Sequence, residues 1–522
     1  MRTAVSRSLV LFTACIVSIL FNCGASAYPL DGHAYTGVPR LQAQRMIQEG
    51  ELAGRKRPPG ELLPMERVDL RLIDRPDFSL PPPDPQFTAK IKHLLGNEAG
   101  RYSIALLDLS EPAQPRYAEW QGNQAQNPGS VGKLMVGLAI FQTLADIYPE
   151  DISARENTLR NSVVCADVFS VYDHHTVPFW NSDTKKLIRR PIKQGDCASL
   201  WTYLDWMMSP SSNSAAGMVQ KHLILLAHFG RQYPVTEQQA NRFFAETTAR
   251  DRAIIFETAM QSPIPRNGLD LNTLRQGSFF TREGKRRVAG TSSRATSRGL
   301  MEFILKMEQG KLVDMFSSRE LKRLLYITER RIRYASTAAL RNSAVYFKSG
   351  SLYSCEPEPG FQCKKYHGNK RNYMNSVAIV ESPAGQNRLY YMTTLLSNVL
   401  RKNSAVDHRD LAGAIHRMLL EDHPREEIRP GAQPLSATYG EGFIGYQSER
   451  KALELKLATQ EALLTLDYEI GEIDGIIGSK TRAAIGDYQR AEGLTVDGKP
   501  SPALLQNMRD AIQRRRLARP QR

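Results

Sequence analysis

A serine and a lysine with the spacing of a nucleophile and its base stand at the head of an apolar segment. Ser130 and Lys133 are three positions apart in S-V-G-K, and the apolar residues that follow recur at helical spacing. Residues three apart share one helix face, so the amine can reach the hydroxyl. A serine hydroxyl attacks only after a base takes its proton, and a lysine in a dry pocket beside another cation has a lowered pKa. The pair therefore predicts acyl-transfer chemistry.

An S-x-x-K element is weak evidence by itself, because Ser182–Lys185 and Ser448–Lys451 match it as well. Two further motifs strengthen it. Ser211–Asn213 is the one S-x-N in the chain, and Lys348–Gly350 is the one K-[ST]-G. They follow Ser130 in a fixed order, the first between two predicted helices and the second on a predicted strand. Together the three motifs are typical of a serine acyl-transfer site.

The elements that must position these motifs follow from hydrophobic periodicity. Alternating patterns predict paired strands before Ser130 and three strands near the end of the domain, with a mostly helical stretch to about Leu325 between them. Such an order predicts an α/β domain of the α+β kind, in which helices cover an antiparallel sheet. The predicted strands are Tyr102–Leu109, Tyr117–Gln121, Ala344–Ser351, Tyr373–Glu381 and Arg388–Ser397, with a terminal helix Asp407–Leu420.

The motif order over residues 86–422 resembles the penicillin-binding protein and class A β-lactamase-like family of serine hydrolases. The resemblance implies the β-lactamase/transpeptidase-like fold. It also implies a role for each matching residue. Ser130 would be the acylated nucleophile, Lys133 its general base, Ser211 a proton relay to the leaving nitrogen, Asn213 a ligand of the substrate amide, Lys348 and Ser349 ligands of the substrate carboxylate, and Gly350 the point where the strand approaches closely. The backbone N–H groups of Ser130 and Ser351 would form the oxyanion hole.

Each motif residue has a simpler interpretation. Ser211 could cap a helix, and Lys348 could be a cation at a strand edge. The chain also departs from the class A pattern, since no E-x-x-L-N element follows Asn213, and Glu246 and Glu257 lack that context. The leading hypothesis is therefore a D,D-peptidase-like enzyme acting on peptidoglycan stem peptides. A β-lactamase acting on β-lactams and a catalytically inactive wall-binding scaffold are the alternatives.

The C-terminal residues 451–512 resemble a different family, the three-helix peptidoglycan-binding domain. The match rests on Ile473–Ile485, on Tyr488–Gln489 and on Gly493–Gly498. Amphipathic patterns predict helices at Ala452–Leu466, Lys480–Gln489 and Pro502–Ile512. Such a module would tether the enzyme to its polymer and raise its local concentration there. Peptidoglycan is therefore the expected partner.

The first 27 residues have the pattern of a secretory signal peptide. Arg2 and Arg7 precede an apolar run, Leu9–Phe21, and Ala25–Ala27 offers a cleavage site. The run is too short to span a bilayer, although Cys23 leaves a lipoprotein anchor open. These features predict a periplasmic or envelope protein without a transmembrane segment after cleavage. For an exported chain with a net charge of +15, anionic wall polymer or membrane surface is a better counterpart than nucleic acid.

The remaining segments are predicted to be a leader, a linker and a tail, and the cysteines are predicted to form disulfides. Residues 28–85 are rich in proline and arginine and predict an extended leader, residues 423–450 a linker, and residues 513–522 a basic tail. Four cysteines remain after signal cleavage, and sequence proximity favours Cys165 with Cys197 and Cys355 with Cys363, unpaired buried thiols being the alternative. No cofactor is expected. Asp173–His175 holds three adjacent ligand types, but without a distant partner it does not predict a metal.

Overall fold

The computed structural model describes residues 31–386, 388–424, 455–456, 458–470 and 477–517. The predicted signal peptide, the Ser448–Lys451 element and nearly all of the predicted linker lie outside the described residues. Within them, eleven strands and sixteen helices can be bounded. The strands are β1 Tyr102–Asp108, β2 Arg116–Trp120, β3 Val163–Cys165, β4 Val177–Asn181, β5 Lys186–Arg190, β6 Cys197–Ser199, β7 Leu274–Arg275, β8 Arg294–Ala295, β9 Ala344–Ser354, β10 Arg371–Ser382 and β11 Leu389–Asn398.

The helices fall into a group that precedes β1, a large group between β2 and β9, and single elements after β11. Those up to residue 229 are α1 Gly32–Thr36, α2 Pro39–Glu49, α3 Pro85–Leu95, α4 Lys133–Ile147, α5 Ile152–Asn161, α6 Leu200–Met208 and α7 Asn213–Phe229. The later ones are α8 Glu237–Glu246, α9 Ala249–Gln261, α10 Pro263–Arg266, α11 Arg282–Arg287, α12 Ser297–Glu308, α13 Met315–Tyr326, α14 Ser404–Asp422, α15 Ser479–Ala491 and α16 Pro502–Leu517.

One five-stranded antiparallel sheet organises the larger domain, in the order β2-β1-β11-β10-β9. Each of its faces is covered. One core cluster joins the sheet to α4, α6, α7, α12 and α13, and a second joins it to α3 and α14. Helices packed on an antiparallel sheet in this way bury both its faces, which the near-continuous apolar strands require. The predicted mixed helical and antiparallel fold is therefore confirmed.

The stretch between β2 and β9 differs from the prediction in detail. It is mostly helical, but it also holds three two-stranded ribbons, β3-β6, β4-β5 and β7-β8. Their strands have two to five residues. Strands this short carry too few alternating positions for a period-two pattern to stand out. The ribbon β3-β6 places Cys165 opposite Cys197.

Both predicted disulfides, Cys165–Cys197 and Cys355–Cys363, are present. The first joins the paired strands β3 and β6, and the second closes a loop directly after β9. Each bridge therefore stiffens a segment next to a strand rather than joining distant parts of the domain.

The N-terminal segment is not the extended spacer that its proline and arginine content predicted. Residues 32–49 form α1 and α2, and Val38, Leu41, Met65 and Val68 are buried in the main core cluster. Arg40 reaches further and forms a buried ion pair with Asp205 of α6 at 2.6 Å. Composition predicted an extended leader, but several apolar residues spaced along the segment pack against the domain. The free energy gained by burying these side chains stabilises the packed conformation despite the high proline and arginine content.

Helix α4 is the central helix of this core. With the turn before it, the stretch Gly129–Ile147 is long and apolar enough by length and composition to cross a membrane. It is 78% buried inside the domain, which is typical of the core helix of a folded protein.

The C-terminal module is built from three helical segments, as predicted. Residues 458–465 are helical, and α15 and α16 follow. Leu463, Ile485, Tyr488 and Met508 meet in a separate core cluster. The Asp497–Gly498 turn is held by Gln489 of α15, whose side-chain oxygen Oε1 accepts both backbone N–H groups at 3.1 and 3.0 Å.

Candidate active site

Ser130 lies in a single turn of 3₁₀ helix, Gly129–Gly132, that leads into α4. Gly129 has φ of 53°, a conformation that glycine adopts without strain. The loop before it is held by Asn127, whose side chain accepts the Gly129 N–H at 2.9 Å and whose carbonyl accepts from Asn375 of β10 at 3.0 Å. The predicted nucleophile is therefore fixed against the sheet before the helix begins.

Lys133 is the first residue of α4, and its side chain is fully buried. Its amine nitrogen lies 3.1 Å from Ser130 Oγ and 2.8 Å from Asn213 Oδ1. It also lies 2.7 Å from the carbonyl oxygen and 3.3 Å from the hydroxyl of Ser211. The structure therefore brings together the two motifs that are separated by about 80 residues of sequence.

The pKa of Lys133 is lowered to about 7. Burial is the main cause, since it disfavours the charged amine, and the Arg333 guanidinium adds to the effect. The Asp173 carboxylate acts in the opposite direction. Near neutral pH a substantial fraction of this amine is therefore unprotonated and able to accept a proton.

Ser211 lies between α6 and α7 in a left-handed conformation, with φ of 65°. A serine in this conformation is unusual and costs about 1–3 kcal/mol, so its surroundings must hold it there. Ser212, the next residue, is the N-cap of α7 and accepts the Ala215 N–H at 3.1 Å. The helix cap that was the simpler interpretation of Ser211 is thus supplied by its neighbour.

Asp173 holds this corner in place. One of its carboxylate oxygens accepts from the hydroxyl of Ser212 at 2.8 Å and from the backbone N–H groups of Asn213 and Ser214 at 2.6 and 3.0 Å. The other lies 2.5 Å from Nδ1 of His175. Burial alone would raise the pKa of Asp173, but these hydrogen bonds lower it well below its usual value. Asp173 is therefore an anion at the N-terminus of α7, where the helix dipole favours it.

The sequence motifs did not reveal this role of Asp173. The side chains of Asp173–His175 place their ligand atoms within 4.8 Å of one another. Both carboxylate oxygens of Asp173, however, are already engaged by α7 and His175. The acidic residue next to two histidines was a visible signal, but only the tertiary contact shows that it serves the S-x-N turn.

Lys348 lies on β9 and is 3% exposed. Its amine donates to Ser211 Oγ at 2.8 Å. Burial lowers the pKa of Lys348 well below its usual value, and the nearby Lys133 and Arg333 cations lower it further. The Ser211 hydroxyl therefore lies between two buried amines, which is the geometry a proton relay requires.

Gly350 allows β9 to pass directly beside the Ser130 turn. A Cβ atom at Gly350 would lie 2.5 Å from the backbone nitrogen of Ser130 and from the carbonyl oxygen of Pro128. On the other side, a Cβ at Gly129 would lie 3.1 Å from the backbone nitrogen of Ser351. The N–H groups of Ser130 and Ser351 therefore belong to two backbone segments in close contact. Their function as an oxyanion hole stays a prediction.

Arg333 is a second residue that the motifs did not predict. Its guanidinium donates to Ser349 Oγ at 2.7 Å, to Ser351 Oγ at 3.1 Å and to the hydroxyl of Tyr366 at 2.9 Å. Arg333 is the first residue of a single 3₁₀ turn, Arg333–Ser336, before β9, and its φ is 53°. No periodicity or motif marks such a position, so the sequence offered no signal for it. The guanidinium adds a cation beside Lys348, at the predicted carboxylate site.

These residues open into a cleft of about 770 Å³. Ser130, Ser211, Asn213, Lys348 and Ser351 all line it. Its rim is cationic, with Arg189, Arg330, Arg333 and Lys365. Among the described residues that line the cleft, Glu329 is the one carboxylate, and it is paired with Arg189. Neither Glu246 nor Glu257 lines it.

The second S-x-x-K element in the described chain has a different setting. Ser182–Lys185 lies in the turn between β4 and β5, where both end residues are exposed. No helix aligns their side chains. The structure therefore separates Ser130–Lys133 from this chance match.

Comparison with known proteins gives one match to a family model. Residues 457–508 match the family described as "Putative peptidoglycan binding domain". This agrees with the module predicted for residues 451–512, and the prediction of its family is confirmed. No curated protein sequence matches the chain.

Solved structures similar to the larger domain include a protein named PBP-A, at 14% identity and a TM-score of 0.40, covering 66% of this chain and 100% of that one. A β-lactamase from Chitinophaga pinensis is 12% identical, with a TM-score of 0.40 and coverage of 64% and 98%. The TLA-1 extended-spectrum β-lactamase is 11% identical, with a TM-score of 0.41 and the same coverage. At these identities the similarity by itself assigns no activity.

Proposed function

We propose that this protein is an exported serine acyl-transfer hydrolase that cleaves peptidoglycan stem peptides in the manner of a D,D-peptidase. One observation carries the proposal. The Lys133 amine, with a pKa of about 7, lies 3.1 Å from Ser130 Oγ at the floor of an open cleft. A nucleophile and a base with a pKa near the working pH are the minimum that acyl transfer by serine requires.

Acylation begins with the neutral amine of Lys133 taking the proton of Ser130 Oγ. The freed oxygen forms a bond to the carbonyl carbon of the substrate, and the carbonyl oxygen becomes an oxyanion facing the N–H groups of Ser130 and Ser351. The C–N bond then breaks as the leaving nitrogen receives a proton from the hydroxyl of Ser211. That hydroxyl is resupplied from Lys133, 3.3 Å away. The products are an acyl-Ser130 ester and a free amine.

The opposite wall of the cleft suits a substrate with a carboxylate next to the scissile bond. The Lys348 amine and the Arg333 guanidinium both line the cleft, and the Ser349 hydroxyl accepts a hydrogen bond from Arg333 at 2.7 Å. A planar guanidinium is the side chain best matched to a carboxylate. A peptide that ends in D-Ala-D-Ala has its terminal carboxylate one residue beyond the bond to be cleaved. The wall therefore supports this class of peptide as the acyl donor.

The carboxylates available for deacylation favour a peptidase over a β-lactamase. Rapid hydrolysis of a β-lactam ester needs a base that activates water. Within the described part of the chain, the cleft-lining carboxylate is Glu329, and it is held in an ion pair with Arg189. An ester formed with penicillin should therefore persist. The C-terminal module would keep the enzyme near peptidoglycan.

The test is intact-mass analysis of the full chain incubated with benzylpenicillin over time. The proposal expects a stable adduct of one penicillin on the wild type and none on Ser130→Ala. Ser182→Ala is the matched control, because it removes the serine of the other described S-x-x-K element, and it should label as the wild type does.

Other outcomes of the same experiment decide against the proposal. An adduct that disappears within minutes while penicilloate accumulates would identify a β-lactamase. Absence of both labelling and release of D-Ala from a D-Ala-D-Ala peptide would identify an inactive scaffold tethered to the wall.

A further inference from the structure

A second cavity, of about 700 Å³, opens next to the candidate active site. Its walls are residues 44–61 of the N-terminal segment, the β4-β5 hairpin at residues 185–189, and residues 329–331. We call it the cationic groove. None of the three predicted motifs contributes to it, so the chemistry at Ser130 does not explain it.

The cationic groove adjoins the active-site cleft. Arg189, Glu329 and Arg330 line both cavities. The shared wall is fixed close to the chemistry, because the backbone N–H of Glu329 donates to Ser209 Oγ at 2.7 Å. Ser209 lies two positions before Ser211 in the same turn. The groove therefore lies directly beside the turn that carries the S-x-N motif.

The charge of the groove is strongly positive and incompletely compensated. Glu61 pairs with Arg57 at 3.0 Å and with Arg331 at 3.2 Å, and Glu329 pairs with Arg189. Several more cations line the groove without a hydrogen bond or ion pair from their side chains to any described residue. These are Arg55, Lys56, Lys185, Lys186 and Arg330.

The positive charges around Arg189 act on its pKa. Burial lowers the pKa of Arg189, and the charges of Arg330, Arg40 and Arg57 lower it further. Like charges gathered on three separate segments repel, and an anion between them relieves that repulsion. A cavity lined by charge of one sign also focuses its field and raises the local concentration of counter-charged ligand.

The walls are held rigidly enough to make a site. Trp180 of the hairpin donates to the side chain of Gln42 on α2 at 2.9 Å, and Gln48 of α2 accepts the backbone N–H of Arg57 at 2.9 Å. Gly60 packs against the backbone of Ser343, where a Cβ atom would lie 2.2 Å from the carbonyl oxygen. The hairpin and the N-terminal segment therefore present their cations from fixed backbones.

We propose that the cationic groove binds the carboxylates of an acidic peptide chain that continues from the bond attacked by Ser130. The inference rests on the proposed function and specifies its substrate as a polyanionic peptide, such as a branched or cross-linked stem peptide. The groove already contains carboxylates bound to its cations, because Arg57 pairs with Glu61 and Arg189 pairs with Glu329. The N-terminal segment, which composition alone marked as a spacer, thereby becomes a wall of the substrate site.

Binding is tested first without any chemistry, using fluorescein-labelled hexaglutamate and hexaglutamine and fluorescence anisotropy with the full chain. The groove variant combines Arg55→Gln, Lys56→Gln, Lys185→Gln and Lys186→Gln, none of which lines the active-site cleft. The matched control removes four exposed cations elsewhere that have no described partner: Arg101→Gln, Arg242→Gln, Arg250→Gln and Lys285→Gln. Both variants keep the basic C-terminus, so its contribution cancels.

The expected result is at least a tenfold weaker binding of hexaglutamate to the groove variant, a change of less than threefold in the control, and little binding of hexaglutamine. Equal weakening in both variants would mean that only net charge matters and would overturn the proposal. Groove-dependent binding of a linear polyphosphate of matched charge, tighter than that of hexaglutamate, would overturn the assignment to carboxylates.

Kinetics then separates this inference from the proposed function. Two peptides ending in D-Ala-D-Ala, one extended at its N-terminus by glutamates and one by glutamines, are compared by kcat/KM. The wild type should prefer the acidic peptide about tenfold, and the groove variant should lose the preference while cleaving the neutral peptide normally. If the groove variant still preferred the acidic peptide, the proposed role of the cationic groove would be wrong. Groove-dependent binding without cleavage of either peptide would overturn the proposed function alone.

Discussion

Asp173 accepts the backbone N–H of Asn213 at 2.6 Å, across 40 residues of sequence. The same carboxylate oxygen accepts from Ser212 and Ser214, so one buried anion fixes the turn that carries the S-x-N motif. Asn213 and Ser211 in turn contact the Lys133 amine. The position of the proposed base therefore depends on a residue outside all three motifs.

Substitution Asp173→Asn should loosen this turn. The amide keeps the shape but loses the negative charge that three donors share, and one of its two polar atoms becomes a donor. We expect the free energy of unfolding to fall by about 1–3 kcal/mol and the rate of penicillin acylation to fall more than tenfold. Urea unfolding and stopped-flow labelling measure the two effects.

Asp183→Asn, at the exposed tip of the β4-β5 hairpin, is the control and should change neither quantity. If the Asp173→Asn protein were acylated at the wild-type rate, the S-x-N turn would keep its conformation without Asp173 and the prediction would be wrong.

The pH dependence of acylation should report the Lys133 amine. Because the amine acts as a base only when it is unprotonated, and its pKa is about 7, the acylation rate should rise with pH and reach half its maximum near pH 7. Lys133→Arg retains the charge but cannot give up its proton, so its rate should fall about 10²–10⁴-fold.

Rapid-mixing experiments with a chromogenic cephalosporin between pH 5 and 9 would provide the profile. A rate that is independent of pH across this range would contradict the assignment of the base.

Two charged side chains that act on the pKa of the base should move that midpoint in opposite directions. Arg333 lowers the pKa of Lys133 and Asp173 raises it. Arg333→Gln should therefore shift the half-maximal pH upward, and Asp173→Asn should shift it downward. Arg242→Gln, an exposed change on α8, should leave it where it is.

The direction of these shifts is the informative quantity, because loss of packing alone lowers the rate without moving the midpoint in a predictable sense. Shifts of the same sign in both variants would show that the electrostatic account of the site is wrong.

A buried ion network joins the N-terminal segment to the sheet and should contribute strongly to stability. Lys322 of α13 lies 2.7 Å from Glu308 and 3.0 Å from Glu381, and Arg71 lies 3.1 Å from the other oxygen of Glu381. Glu381→Gln leaves Arg71 without its partner, and breaking a buried pair from one side costs about 3–5 kcal/mol. Urea unfolding followed by tryptophan fluorescence checks this. Glu283→Gln, in an exposed pair with Arg286, should leave the unfolding midpoint unchanged.

The same network should make the free energy of unfolding depend on pH in the acidic range. Burial alone would raise the pKa of Glu381, but Arg71 and Lys322 lower it to about 2. The unfolded chain binds this proton at a higher pH than the folded one, so the stabilisation is complete above about pH 4.5 and is lost as the pH falls towards 2. The Glu381→Gln protein should show a flatter profile in this window, and an identical slope in both proteins would refute the assignment.

The sequence alone was sufficient for the features that local spacing encodes. Three positions along a helix bring Ser130 and Lys133 to one face. Alternation along strands predicted the five strands of the main sheet to within three residues at each end. The pattern of residues from Ile473 to Gly498 identified the C-terminal module. The cysteine pairs also followed from proximity in sequence. In each case the interacting groups lie within one element or between close neighbours, so their geometry follows from helix and strand periods.

Only the tertiary structure placed Asp173 beneath the S-x-N turn, Arg333 beside Lys348, and the N-terminal segment along the cationic groove. These contacts join irregular segments, or residues separated by tens to hundreds of positions, and no period relates such positions to one another. Their energy comes from burial and from pairing of charges that meet only once the core has formed. The motifs therefore predict the chemistry of the candidate site. Its electrostatics and the adjoining cationic groove result from the packing of segments that are distant in sequence.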